Sequence, residues 1–347
     1  MSGESVRGIS VKTSLHRFRM WMGTPASADK SPLLSTTVSD LRPLQGGLTV
    51  ALVCLLWVSS ILSPFLFAVA LWRGWTAVAV ALIAVTALAH SPLLGYVPAV
   101  SAAFRWAFER AFQSVTVRFE PGSAPGSSPS KLYAVHPHGV FTMGFIHVVL
   151  HPALRNVTFC FSSFLYNSPL FLILSKLVGR PSRADKESVL GLMRAGKDLG
   201  LTPGGFEEAT LTSGGDAERV YIKGRKGFVK YCVQHGVSIC PVYAFGEKRL
   251  YSNLQGAWRL RLRLNGYGVP TVLGVVGRWW WCPFVPRPHP VLVVVGSPLP
   301  LARNPSPTAE EVATAHARYV EALTALFDRH KVEAYGEEGK GLTLEVW

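Results

Sequence analysis

Two histidines one residue apart, in His136-Pro137-His138-Gly139, are the side chains of this chain best suited to move a proton. An imidazole titrates near neutral pH, so either can act as a general base. Pro137 fixes a backbone torsion between them, and Gly139 lets the chain turn sharply. A second block, Thr202-Pro203-Gly204-Gly205-Phe206-Glu207-Glu208, joins a glycine turn to two acids. Its exposed N–H groups can hold an oxyanion or a phosphate, and Glu207 or Glu208 can reach and orient a histidine. A third, Lys223-Gly224-Arg225-Lys226-Gly227-Phe228-Val229-Lys230, is basic and punctuated by glycine. At a helix N-terminus, Arg225, Lys226 and Lys230 would grip the phosphates of a nucleotide-like carrier. A fourth, Phe245-Gly246-Glu247, ends a strand-like run in a carboxylate. A metal site is the less favoured reading: His147 and His151 are four apart, but Pro152 follows them and no carboxylate lies near.

These blocks need a scaffold, and its elements are legible. Apolar runs at Leu132–Val135, Val157–Phe161, Val237–Phe245, Thr271–Val276 and Val291–Val295 read as strands. Gly139–Leu150, Ser168–Val178, Lys186–Leu199 and Lys226–His235 read as the helices between them. The alternation predicts an α/β sandwich. A last amphipathic helix covers about Thr308 to His330, opened by a capping box of Thr308 and Glu311. His136 then stands at the exit of the first of these strands.

Upstream the composition changes. The 347 residues are 49% hydrophobic and only 16% charged, with mean hydropathy +0.26, against about 25% charged in an ordinary soluble chain. Residues 1–46 are polar, basic and low in order-forming residues, and are expected to be disordered. Within 47–104, Leu48–Trp72 is uncharged, and after Arg73-Gly74 a second uncharged stretch follows, most apolar over Trp75–Ala89. Each is of a length to enter a hydrocarbon core roughly 30 Å thick, as a hairpin that spans or re-enters, with Pro64 kinking the first arm. Trp57, Trp72 and Trp75 would anchor it at the interface, and bases on both flanks would keep both ends in the cytosol. Residues 105–130 form an amphipathic segment and a Pro/Gly/Ser linker, and 131–347 the chemical domain. Farther on, Trp258 precedes Arg259, Arg261 and Arg263, and Arg278 precedes Trp279-Trp280-Trp281. That pairing suits a lipid headgroup layer.

The net charge of +14 would suit nucleic acid or an anionic membrane. No helix-turn-helix, zinc-finger or RNP pattern is present, so nucleic acid is not expected. No GxSxG elbow supports a serine lipase. Five scattered cysteines, none in CxxC spacing, predict buried small side chains in a reducing compartment.

The order HPHG, PGGFEE, RKGFVKYCVQHG and PVYAFGE behind a hydrophobic hairpin resembles the diacylglycerol acyltransferase type 2 family, which includes monoacylglycerol and wax-alcohol acyltransferases. The resemblance runs from about Leu48 to the C-terminus. It implies a glycerolipid-acyltransferase-like sandwich behind a membrane helical hairpin, at the endoplasmic reticulum membrane or lipid droplet with the catalytic domain facing the cytosol. It implies acyl-CoA and a neutral lipid acceptor as partners, diacylglycerol first, with monoacylglycerol or a long-chain alcohol as alternatives, and no metal or organic cofactor. A homo-oligomer and a non-catalytic membrane scaffold stay open. The more distant glycerophosphate acyltransferases carry His-x4-Asp, yet here Phe141 and Met143 stand where the aspartate would. Glu208 is therefore expected to orient the base. The resemblance favours His138 as that base and His136 as its support, with Gly139, Gly204 and Gly205 as oxyanion donors and Pro137, Glu207 and Glu247 as further site residues.

Overall fold

Three of the four chemical blocks leave the same edge of one sheet. In a computed structural model, which describes residues 43–126, 129–212, 217–269 and 271–347, strand β1 is Ser114–Phe119, β2 Lys131–His136, β3 Thr158–Phe161, β4 Pro181–Arg183 and β5 Leu199–Leu201. After β6 (Glu218–Val220) come β7 (Ser238–Phe245), β8 (Pro290–Val295) and β9 (Leu344–Val346). Seven of them form a sheet in the order β1-β8-β7-β2-β5-β3-β4, while β6 and β9 pair separately. Strands β7, β2 and β5 are adjacent and parallel. Their carboxyl ends therefore share an edge, where open α/β sheets bind ligands. HPHG leaves β2, the PGGFEE turn leaves β5, and Gly246-Glu247 leaves β7. Strands β1 and β8 run the opposite way, through the antiparallel β7–β8 pair.

The sheet is covered on both faces, so its central strands read as continuous apolar runs. All six residues of β2 are buried. By the period of two, Tyr133 and Val135 enter one core and Leu132 and Ala134 the other. Among the described residues twelve α-helices accompany these strands, of which α1 (Pro43–Trp72), α2 (Thr76–His90), α3 (Pro98–Glu109) and α4 (Met143–Leu150) come first. The first face packs under α1, α3 and α4, through Val50, Phe108 and Val148. In order, α5 is Ser163–Tyr166, α6 Pro169–Val178, α7 Lys186–Arg194, α8 Gly205–Leu211 and α9 Gly227–His235. Then follow α10 (Glu247–Leu250), α11 (Trp258–Gly266) and α12 (Ala309–Tyr335). The second face packs under α7, α9 and α12, through Val189, Val229 and Leu323. Helix α12 carries the expected capping box of Thr308 and Glu311. It buries Val312, Ala315, His316, Tyr319, Leu323, Leu326 and Phe327, a helical stripe that sets Tyr319 toward β2.

Four expected elements differ. Thr271–Val276 forms no strand and makes only a single bridge, Ser252 to Val276. The helix expected over Lys186–Leu199 stops at Arg194, because Gly196 takes a left-handed φ of 62°, and Leu199 begins β5. Gly139–Thr142 is a turn, and the helix starts at Met143. The segment 105–130, expected as an amphipathic segment followed by a linker, holds the end of α3 and then β1 in its first part. The expected disordered N-terminus lies outside the described residues as far as 42, and its last residues, from Pro43, are helical.

Helices α1 and α2 are joined by a turn at Arg73-Gly74, with Gly74 at φ 68°. Among the described residues no single helix is long and apolar enough to cross a membrane. Helix α1 is bent by 55° between its halves Gly46–Ser59 and Leu62–Trp72. The bend falls about one turn before Pro64, whose ring crowds the carbonyl four residues earlier. Trp72 and Trp75 are exposed as interfacial anchors would be. Trp57 is not: it turns inward and meets Phe141 edge-on, with ring centroids 6.1 Å apart.

Candidate functional site

The HPHG turn is held from two sides by carboxylates. His136, with no exposed surface, uses both ring nitrogens. Its Nδ1 lies 2.8 Å from Glu208 Oε1, and its Nε2 lies 2.7 Å from the hydroxyl of Tyr319. Burial pushes the Tyr319 phenol well above its usual range, so it keeps its proton and donates it to Nε2. A carboxylate only accepts, so Nδ1 carries the other proton. Glu208 takes three N–H donors in all: His136 Nδ1, the backbone N–H of His138 at 2.9 Å and that of Tyr221 at 3.1 Å. It is itself fully buried. The peptide bond between His136 and Pro137 is cis.

His138 points elsewhere. Its Nδ1 donates to the carbonyl of Gly139 at 2.8 Å. Because a carbonyl only accepts, this bond fixes the neutral tautomer with Nε2 bare. The ring lines a cavity of about 560 Å³. Burial holds the imidazole below its ordinary pKa, opposed by the Gly139 carbonyl and by the charges of Glu208 and Glu207. A neutral, half-buried imidazole with one open nitrogen is a general base in waiting.

Glu247 braces the turn from behind. Its two oxygens accept from the backbone N–H groups of Met143 (3.1 Å) and Gly144 (2.6 Å), capping α4. Its burial raises the carboxyl to about 8, against the lowering effect of those two bonds. Gly139 has φ 66°, and a Cβ there would lie 1.9 Å from Glu247 Oε1. Only glycine lets the turn settle onto this carboxylate.

The cavity has two chemistries. Its lining carries Lys186, Arg225 and Lys226, with the first turn of α9, which opens without a side-chain cap. Its free N–H groups favour an anion. Arg225 is paired with Glu207. The same lining includes the apolar side chains of Trp57, Phe141, Phe161 and Leu165. The same four residues border a smaller apolar space of about 70 Å³ between α1, α4 and α6.

The sequence-based set is thus partly gathered. His138, Gly205, Arg225 and Lys226 line the cavity. His136, Pro137 and Glu208 lie behind it, and Glu208 holds the His136 ring and the His138 backbone rather than the His138 ring. Gly139 and Gly204 are buried beneath Glu247 and Glu208. Lys230 is exposed on α9 and does not line the cavity, and Glu247 is a brace away from the cavity wall. His147 is wedged edge-on against Phe108 and Phe112, with no hydrogen bond at either ring nitrogen. Burial first, then Arg105, lowers its imidazole to about 3. His151 Nδ1 accepts from the Ala153 N–H. Tyr319, Lys186 and Trp57 were not anticipated. Tyr319 stood in an apolar stripe, where its hydroxyl, in need of a buried partner, was the available signal.

A base of this kind stands beside a cavity lined by both cationic and apolar side chains. A sequence profile of the diacylglycerol acyltransferase family matches residues 128–345, and the chain belongs to that family. It is 31% identical over 240 residues to diacylglycerol O-acyltransferase 2-like protein 6 of Mus musculus, covering 60% of this chain and 68% of that one. It is 28% identical over 222 residues to 2-acylglycerol O-acyltransferase 1 of Bos taurus (59% and 66%). To acyl-CoA wax alcohol acyltransferase 2 of Mus musculus it is 33% identical over 162 residues (44% and 48%). Among solved structures it is similar to the 1-acyl-sn-glycerophosphate acyltransferase of Thermotoga maritima. That likeness has a TM-score of 0.39 and 14% identity, over 82% of this chain and 97% of that one.

Proposed function

We propose that the chain moves an acyl group from acyl-CoA to the hydroxyl of a neutral lipid at the endoplasmic reticulum membrane, diacylglycerol being the acceptor and triacylglycerol the product. The observation that carries the reading is the bare Nε2 of His138 on a cavity whose lining holds both cations and apolar side chains. The two kinds of side chain suit the two halves of acyl-CoA: phosphates against Lys186, Lys226 and the α9 N-terminus, and the acyl chain against Trp57, Phe141 and Phe161. Relatives named for diacylglycerol, 2-acylglycerol and wax-alcohol acyl transfer support the reaction class.

His138 Nε2 takes the proton of the acceptor hydroxyl as its oxygen adds to the thioester carbonyl. The N–H of Gly205, on the cavity wall, stabilises the oxyanion. As the tetrahedral centre collapses, the C–S bond breaks, and the imidazolium returns its proton to the leaving thiolate. The products are the ester and free coenzyme A. His136 stays in place, because both its nitrogens are engaged.

The test is His138→Ala in membranes given labelled acyl-CoA and a panel of diacylglycerol, monoacylglycerol and long-chain alcohol. Transfer should fall by at least about 100-fold, with membrane association and thermal stability kept. Near-parental turnover would overturn the mechanism. A product formed only with the alcohol would keep the mechanism and replace the acceptor.

A further inference from the structure

From Lys248 to Ala309 the chain holds no aspartate or glutamate, while it carries Lys248 and seven arginines. Within that stretch, between α10 and β8, the chain folds into a surface excursion. Leu254 N–H donates to the Leu273 carbonyl at 2.7 Å, Ser252 bridges Val276, and Arg278 N–H donates to the Val285 carbonyl at 2.7 Å. Between Ser252 and Thr271 the described side chains it buries are polar: Asn253, Arg261, Asn265 and Thr271. Arg261 reaches the Thr271 carbonyl at 2.7 Å, and Asn265 reaches Thr210 at 2.8 Å. What it exposes is apolar: Leu260, Tyr267 and Leu273, with Trp280 at 84% and Trp281 at 65%. Trp279 stacks on Trp281 at 5.3 Å and 11°, and the Arg278 guanidinium lies 5.0 Å over the Trp279 ring. Ordinary water-facing surface does not gather large rings in this way.

The patch is continuous with two features already described. The Phe284 carbonyl accepts from Tyr251 and lies 3.8 Å from Cys54 of α1, and Val285 packs on Gly47 of α1. Beyond it, α1 exposes Leu48, Leu52 and Leu55. On its other side Asn253 donates to the Ala209 carbonyl of α8, whose Phe206 lines the cavity. The excursion thus joins the foot of the hairpin to the cavity wall.

We propose that this face is a second membrane contact, lying in the headgroup layer of a bilayer that contains anionic phospholipid and seating the cavity mouth on the lipid that supplies the acceptor. It rests on the reading of α1 and α2 as membrane helices. Indole and phenol rings settle at the level of the headgroups, and the exposed Arg259, Arg263 and Arg278 meet their phosphates. A second copy of the chain is disfavoured by charge. An isologous contact would set these arginines against their own copies, with no carboxylate in the stretch to pair them.

The test uses the full chain with Cys282→Ser, since the other four cysteines are buried. Single cysteines are placed by Trp280→Cys, by Phe65→Cys on exposed α1, and by Glu321→Cys on the far α12 surface. Each carries an environment-sensitive fluorophore. The protein is reconstituted in phosphatidylcholine vesicles with or without phosphatidylserine, with nitroxide near the headgroups. The label at 280 should shift to the blue and lose fluorescence to the nitroxide, more so with phosphatidylserine, and Arg259→Gln with Arg278→Gln should abolish that lipid dependence. The label at 321 should stay open to iodide. If 65 is quenched while 280 stays as open to iodide as 321, this proposal fails and the hairpin reading stands. If neither is quenched, both fail. Cross-linking of 280 to 280 between copies without nitroxide quenching would assign the face to a dimer and also overturn the proposal.

Discussion

Replacing Glu208 by glutamine tests whether one carboxylate holds the whole turn. The substitution keeps volume and removes charge and one acceptor oxygen. Glu208 Oε1 serves His136 and Tyr221, and Oε2 serves the His138 N–H. Whichever way the new amide is turned, its NH2 faces a backbone N–H, at His138 or at Tyr221. One buried donor is then unpaired, costing about 1–3 kcal/mol, and the remaining bonds fall from charge-assisted to neutral, costing about 1–2 kcal/mol more. The total is about 2–5 kcal/mol, a large part of a stability of about 5–15 kcal/mol. At roughly 2–4 °C per kcal/mol, the unfolding midpoint should drop by about 4–20 °C. Catalysis should suffer as well, since His138 is placed through its backbone; a displacement on the order of 1 Å costs roughly 100-fold. Differential scanning fluorimetry and labelled acyl transfer read the two effects. Glu208→Asp, which keeps the charge on a shorter arm, should fall between. If Glu208→Gln kept transfer within about twofold of the parent, a change below about 0.5 kcal/mol in barrier, with an unchanged midpoint, the carboxylate would not be the anchor and the reasoning would be refuted.

Three other outcomes are expected. Tyr319→Phe leaves His136 Nε2 buried without a donor, so stability should fall by about 1–3 kcal/mol; kcat should drop while KM for acyl-CoA holds, because Tyr319 is off the cavity wall, and a raised KM alone would contradict this. The base must be neutral to act, and burial lowers the His138 pKa below its ordinary 6.5. The acid limb of kcat/KM should therefore have its midpoint below that value, and stability should also fall as pH drops through this window, because the unfolded chain takes up the proton the folded site refuses; a midpoint above 6.5 would count against His138. Lys226→Ala and Arg225→Ala should raise KM for acyl-CoA several-fold, Lys226 the more because Glu207 already engages Arg225, whereas Lys230→Ala should leave KM unchanged; equal effects at all three would point to a diffuse charge field instead.

Much of the scaffold was written locally. The run Leu132–Val135 reads as a buried strand because β-rich apolar residues bounded by turn formers do little else, and Thr308 with Glu311 marks a helix start by two reciprocal hydrogen bonds. Thr271–Val276 carries the same strand signal as Val291–Val295, yet only the latter finds a neighbour on each side, β1 and β7. A strand is completed by its partners, and partners are not local. The same holds for the site. Residue types singled out His136, His138 and the pair Glu207 and Glu208, because imidazoles on a turn and a carboxylate after a glycine pair are suited to proton transfer. The choice of Glu208, and of His138 as base with His136 as support, came from the family resemblance and not from the side chains themselves. His136 became the clamp and His138 the open base only once β7, β2 and β5 were laid side by side, α12 brought Tyr319 across to one ring, and the cavity opened beside the other. Hydrogen-bond propensity is a property of each side chain, whereas the partner it meets 72 or 183 residues away in sequence is set by strand order and helix packing.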